Sequence, residues 1–231
     1  MPSNAAFPML SVNALNKSYG ARRVIDRLSF SIPARERVTI FAPSGAGKST
    51  LINILSGVDK PDDGAYTFRT AARPSTIFQE PRLFPYMTVQ ENIFFPLRVQ
   101  QQPITPERLE RYHDWLEVCN LARDTHHYPY QLSGGMKQKV AFIRGMITFP
   151  DVVLMDEPFK SIDMASKQRM MAHLLNAHPN ITLLLVTHNL DEIPLLTSTL
   201  FVFHENQLGR FTTYSDVASL SVPEIATRIF G

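Results

Sequence analysis

Residues 42–50 read APSGAGKST. The loop that cradles nucleotide phosphates has the spacing G-x-x-x-x-G-K-[ST]. Gly47, Lys48 and Ser49 match it, while the first position carries Ala42 instead of glycine. Upstream, Arg37-Val38-Thr39-Ile40-Phe41 is a β-rich run. Downstream, 48–57 has the pattern of a helix closed by Gly57. A strand, a glycine turn and a helix start together form an anion cradle, because free backbone N–H groups and the helix dipole point at one spot. Gly45 and Gly47 let the backbone approach a phosphate closely. Lys48 would reach the β- and γ-phosphates, and Ser49 would ligate Mg²⁺. The plainer alternative is an ordinary glycine turn before a helix. If its position requires φ > 0, Ala42 costs about 1–2 kcal/mol; if not, its methyl only has to pack.

Two further stretches carry chemistry. Val152-Val153-Leu154-Met155 is an apolar strand that ends in Asp156-Glu157-Pro158. Acids at that point lie at the carboxyl edge of a sheet, where α/β proteins bind ligands. Asp156 would hold Mg²⁺ through water, and Glu157 would orient or deprotonate an attacking water; both could equally be a solvated strand end. Leu132-Ser133-Gly134-Gly135-Met136 directly precedes a helix. Ser133 reads as an N-cap, and the same donors could form a second anion site. One chain does not need two such sites for one nucleotide, but two chains facing head to tail would.

The remaining sequence places these stretches in a globular chain. Its 231 residues are 44% hydrophobic and 19% charged, enough for a sizeable core. A net charge of +2 gives no electrostatic footprint for nucleic acid. A single cysteine, Cys119, excludes an internal disulfide and reads as a small apolar residue. MPSNAAFPML lacks the basic-then-apolar pattern of a secretory leader. No apolar run approaches the roughly 20 residues of a membrane span. Strands are expected at 10–19, 28–32, 75–78, 152–155 and 181–187. Helices are expected at 106–119, 134–147 and 163–177, with Leu109, Tyr112, Leu116 and Cys119 on one face of the first. Apolar runs alternating with helices imply a parallel sheet covered by helices, with 90–147 as a helical insert. His126 and His127 read as a solvated loop.

In chain order, the phosphate loop, Gln79, LSGGM, LMDEP and His188 resemble the ATP-binding cassette ATPases over nearly the whole length. Residues 77–85 (IFQEPRLFP), Tyr128-Pro129-Tyr130-Gln131 and the Met-Asp-Glu-Pro-Phe run resemble the nitrate/sulfonate/taurine importer branch. The resemblance implies an α/β fold: a P-loop NTPase (RecA-like) core with a parallel sheet at 1–89 and 148–231, an N-terminal antiparallel β-subdomain, and an α-helical subdomain at 90–147. It implies ATP and Mg²⁺ as ligands. Pro43, Ser44, Gly45, Ala46, Gly47, Lys48 and Ser49 would enclose the phosphates, with Thr50 at the α-phosphate. Tyr19 would stack on adenine, Gln79 would touch Mg²⁺ and sense a membrane partner, and His188 would contact the γ-phosphate. Ser133, Gly134 and Gly135 of a second copy would complete the site, and Asp163 would belong to a loop crossing between copies.

The implied protein drives import as the cytoplasmic ATPase, lying on the inner face of the membrane. It would work with a transmembrane permease and, indirectly, an extracytoplasmic solute-binding protein. Phe84, Pro85, Tyr86 and Phe94 would suit a docking groove, or else the apolar face of the insert. The alternative is a soluble or non-hydrolysing cassette with a regulatory or nucleic-acid-related role. The chain departs from the family pattern in four places: Ala42; Lys160-Ser161-Ile162 before Asp163, where Gly-Ala-Leu is usual; Asn189, where an acid often comes after the His; and Lys139, where Arg is usual.

Overall fold

The computed structural model describes residues 8–231. The start of the chain, where no leader is expected, lies largely outside the described residues. From the N-terminus run β1 (Leu10–Tyr19), β2 (Arg22–Ile32), β3 (Arg37–Phe41), α1 (Lys48–Leu55), β4 (Asp63–Phe68) and β5 (Pro74–Ile77). Helices α2 (Val89–Val99), α3 (Pro106–Cys119) and α4 (Gly134–Met146) come next. The chain continues with β6 (Val152–Asp156), α5 (Met164–Ala177), β7 (Thr182–Val186), α6 (Glu192–Leu196), β8 (Thr199–Val202), β9 (Thr212–Tyr214) and α7 (Val222–Phe230).

The chain divides into two compact units. The first comprises the chain through Pro74, Asp151–Asp156 and Asn180–Gly231. The second comprises Ser75–Pro150 and Glu157–Pro179. The expected helical span of 90–147 lies inside the second, which extends beyond it on both sides and takes in α5.

In the first unit, an antiparallel sheet is ordered β2-β1-β4. A second sheet runs β6-β7-β3-β8-β9, parallel except at the β8–β9 edge. β3, β6 and β7 are apolar and buried, as strands covered on both faces must be. β2 starts at Arg22, six residues before the expected strand. Arg22, Arg23, Asp26 and Arg27 hide its alternation, and a bulge with Arg27 at φ 46° interrupts it. β4, β8 and β9 are short and carry no clear signal in the sequence; α7 was missed although Ser221 and Glu224 form a capping box with Pro223 in the first turn.

The second unit is helical apart from β5. α3 occupies the expected residues: Thr105 caps its start, Pro106 occupies the first turn, and Asn120 ends it at φ 53°. Its buried face is Tyr112, Trp115, Leu116 and Cys119. Leu109, expected on that face, is exposed; it sits a turn early, and Trp115 takes the central place. The Trp115 ring lies 5.2 Å from Phe142 and 4.4 Å from His173. Burial pushes the Cys119 thiol up to about 12, so it is an inert packing group. His127 pairs with Asp124 at 3.0 Å in an exposed loop, consistent with a solvated role.

The segment after β5 is held by polar side chains. The buried Asn92 on α2 accepts from the Phe84 N–H (2.8 Å). It donates to the carbonyls of Phe84 (3.1 Å), Met87 (2.9 Å) and Thr88 (3.0 Å). Removing one side chain therefore strands several backbone groups at once, and each unsatisfied buried group costs about 1–3 kcal/mol. Asn92→Ala is expected to lower stability by about 2–4 kcal/mol, read as a reduced urea midpoint with unchanged slope.

Candidate functional site

The register of the parallel sheet assembles the site. Ile40 on β3 pairs with Val186 on β7, and Val186 pairs with Asp156 on β6. The three strands therefore end level. The 42–50 loop, Asp156 and the Thr187-His188 pair consequently emerge at one edge. This is the carboxyl edge, where open α/β sheets take their ligands.

At the loop, Gly47 has φ 102° and is the N-cap of α1. A Cβ there would meet the Val24 carbonyl oxygen at 2.7 Å. Both the dihedral and the contact demand glycine. Gly45 is also left-handed, at φ 77°, and its carbonyl accepts from Arg22 Nη2 at 2.8 Å. Ala42 does not stand among the positive-φ residues, and it is fully buried. The methyl therefore only has to pack, and the departure from glycine causes no backbone strain. Lys48 folds back over the loop: its Nζ donates to the carbonyls of Ala42 (2.7 Å) and Pro43 (2.9 Å). Ser49 is exposed and Thr50 half-buried at the helix start.

Tyr19 ends β1 with its ring 52% exposed. Its hydroxyl donates to Asp59 Oδ2 at 2.8 Å, and Lys17 Nζ lies 5.3 Å from the ring centroid. Burial and then the Asp59 bond push the phenol above its ordinary value, with the Thr50 hydroxyl opposing. One end of the ring is thus tethered while its face stays available for stacking.

Asp156 is 4% exposed. Its carboxylate and the Ser49 hydroxyl are hard oxygen donors, the kind Mg²⁺ takes alongside phosphate and water, so the donor set fits that ion. Next along the chain, Glu157 opens the second unit's later segment with φ 47°. A non-glycine residue held there marks a place where the chain is over-determined. His188 is exposed, with its ring edge-on to Phe41. Asn189 replaces the usual acid: its Oδ1 accepts from the Asp191 N–H at 3.0 Å, forming a tight turn.

In the second unit, the Ser133 side chain caps α4, accepting from the Met136 N–H at 3.3 Å. A Cβ on Gly135 would meet the Ser161 carbonyl oxygen at 2.6 Å, so the LSGG turn packs directly on the loop before Asp163. Asp163 caps α5 through the Ser166 N–H (2.8 Å). Lys139 Nζ donates to Ser166 Oγ (2.9 Å) and lies 3.6 Å from Asp163. Gln79 is exposed just beyond β5. The backbone beside it is held by Gln138, which donates to the Phe78 carbonyl at 3.2 Å. Arg144 donates to the carbonyls of Pro81 and Arg82 (2.7 and 2.9 Å). Sequence reasoning missed Asn92, Gln138 and Arg144. The Thr88–Glu91 capping box was the available signal for the first. Phe84, Pro85 and Tyr86 are exposed, but Phe94 is not part of that surface: it is buried against Tyr112 at 4.7 Å, because it faces inward on α2.

A glycine loop and an acidic strand end at one edge of a parallel sheet define a P-loop protein. The chain belongs to the ABC transporter family, whose match covers residues 25–160. It is 35% identical over 221 residues to the spermidine/putrescine import ATP-binding protein PotA of Nitrosomonas eutropha, covering 90% of this chain and 60% of that protein. It is 32% identical over 205 residues to the aliphatic sulfonates import ATP-binding protein SsuB of Bacillus cereus, covering 84% and 80%. The chain thus spans about three-fifths of the polyamine relative's length and four-fifths of the sulfonate one's. Among solved structures, a dimeric post-hydrolysis state of an ATP-binding cassette bound to ADP and Pi superposes with a TM-score of 0.79 at 26% identity, covering 90% of this chain and 98% of that one.

Gly47→Ala is expected to abolish ATP binding, whereas Ala42→Gly leaves the dissociation constant within about threefold, since no left-handed strain is relieved; isothermal titration of both variants checks the pair. Asp163 gives a pH-dependent test. Its Ser166 bonds hold its carboxyl at about 2, below the ordinary 3.8. A depressed folded pKa contributes stability that is complete above the ordinary value and lost as pH falls toward 2. The stability gap between wild type and Asp163→Asn should therefore widen from pH 2 to pH 4 and stay flat above, in denaturation curves taken across that range.

Proposed function

We propose that this chain is the ATP-hydrolysing subunit of an ABC importer. The observation that carries the reading is the level register of Ile40, Val186 and Asp156, which gathers the phosphate loop, an acid and His188 at one edge. Two copies would bind two ATP molecules, each held by the 42–50 loop of one copy and by Ser133, Gly134 and Gly135 of the other. A two-fold interface repeats one site twice. The dimeric state of the ADP-bound cassette structure supports that arrangement.

In this reading Tyr19 stacks on adenine. Backbone N–H groups of residues 44–50 hold the phosphates, and Lys48 swings from its loop carbonyls to the β- and γ-phosphates. Ser49, Asp156 and Gln79 would hold Mg²⁺, which when bound neutralises phosphate charge. Glu157 accepts a proton from the water that attacks the γ-phosphorus, with ADP as leaving group, and His188 contacts the γ-phosphate. Asp163 reaches the facing copy. Closing and parting of the two copies would drive a transmembrane permease from its cytoplasmic face, with a solute-binding protein acting through that permease. The exposed Phe84-Pro85-Tyr86 turn offers a docking surface for the permease. The solute is sulfonate-, nitrate- or taurine-like, or a related small solute, in this reading. The names of the polyamine relatives make an organic cation the competing class.

The Glu157→Gln protein should be monomeric without nucleotide and dimeric with Mg-ATP, measured as mass in solution. ATP binding without a mass change would sink the two-copy site, and absence of binding would sink the reading of the loop.

A further inference from the structure

Helix α4 carries the Ser133-Gly134-Gly135 turn at its start. Its later turns hold the chain on both sides of Gln79. Before Gln79, the side chain of Gln138 is buried, and its amide donates to the Phe78 carbonyl at 3.2 Å. After it, Arg144 donates through Nη2 to the Pro81 carbonyl (2.7 Å) and through Nη1 to the Arg82 carbonyl (2.9 Å). At the next position, the Gly145 carbonyl accepts from Ser75 Oγ at 2.7 Å. A Cβ on Gly145 would meet Ile77 Cγ1 at 2.8 Å, so β5 lies directly against the helix. The turn after β5 is closed on itself, because the Arg82 guanidinium sits 3.9 Å from the centroid of the Phe78 ring. All of these residues belong to the second unit.

We propose that Gln138 and Arg144 are positioning residues that hold the Gln79 turn on α4 and so fix it relative to the LSGG turn. Burial disfavours the Arg144 charge and pushes its guanidinium below the ordinary value. Packing alone would favour an apolar side chain there. What the guanidinium adds is a pair of bonds to consecutive carbonyls, which a fork of donors makes and a single donor cannot. Arg82 itself has φ 46°, a conformation that a residue with a Cβ keeps only where its surroundings impose it. Arg144 supplies part of that constraint from the carbonyl side. Asn92 pins the chain from Phe84 onward; the side-chain bonds to Phe78, Pro81 and Arg82 come from α4. Between Gly134 and Arg144 the helix rises about 15 Å, so two distant turns share one support. In the function proposed above, Gln79 serves this copy's Mg²⁺, and Ser133, Gly134 and Gly135 serve the partner's nucleotide. The consequence for turnover rests on that reading; the placement of the turn does not.

The test uses the full chain with Glu80→Cys carrying a nitroxide label, since Glu80 is exposed beside Gln79 and the native Cys119 is buried. Arg144→Met should sharpen the electron paramagnetic resonance spectrum of that label, and Gln138→Leu should sharpen it less. Arg144→Lys, which keeps one donor, should fall between Arg144→Met and the unaltered background. Should Arg144→Met fail to fold, Gln138→Leu carries the test. A spectrum unmoved by the folded variants overturns the proposal. The same label on Glu110→Cys, exposed on α3, should not change. Sharpening there as well would reveal a general loosening and would also overturn it. In ATPase assays, Arg144→Met should lower kcat about tenfold, as a misplaced group does, with KM for ATP unchanged. In a Gln79→Ala background it should have no further effect. An equal loss in both backgrounds overturns the proposal too. A sharpened label with unchanged kcat would uphold the positioning and instead sink the Mg²⁺ role of Gln79.

Discussion

The approach of Gly47 to the Val24 carbonyl fixes the site, because two sheets of the first unit meet there. Val24 lies on β2 of the antiparallel sheet, and its oxygen also accepts from the Leu208 N–H at 2.9 Å. Asp26 returns a bond to the Leu208 carbonyl at 2.8 Å, so β2 is clamped from the C-terminal side of the chain as well. Only a residue without Cβ can pass over that clamped carbonyl and take φ 102°. The turn that results starts α1 at Lys48 and aims its first N–H groups at one spot. Moving β2 outward would make room for a side chain at Gly47, but it would also break the bonds to Leu208 and Arg22's bond to Gly45. The loop's shape is therefore a property of both sheets, not of nine residues alone.

Most of the carboxyl edge of the parallel sheet was legible because its signals are local. A β-branched run, a glycine turn and the apolar face of a short helix lie within about twenty residues, each with its own physical cause. α3 was legible from end to end for the same reason: Thr105, Pro106 and Asn120 punctuate it, and its apolar residues recur at helical spacing. The features that stayed hidden depend on partners remote in sequence. The first half of β2 carries four charged residues and becomes a strand because β1 pairs with it. β9 is three residues long and exists as the antiparallel edge of β8. Asn92 looks like an ordinary helix residue until the carbonyls of Phe84, Met87 and Thr88 converge on it. Phe41 reads as one more apolar strand residue, and His188 is not near it in the chain.

The four departures from the family pattern share a feature: each has its consequence met locally. Ala42 packs its methyl in a buried place that asks for no positive φ. Asn189 closes its own turn onto the Asp191 N–H, a role an acid could fill equally. Lys139 cannot make the two-pronged contact of an arginine, yet its single ammonium is bonded to Ser166 and sits beside Asp163. The Lys160-Ser161-Ile162 run places Ser161 at φ 69°, which is strained for a residue with a Cβ. That strain is held by the Gly135 contact, where the Ser161 carbonyl occupies the space a side chain would need. Gly135 in the signature turn and Ser161 in the loop before Asp163 therefore constrain one another. A change of backbone at either is transmitted to the other without any intervening side chain.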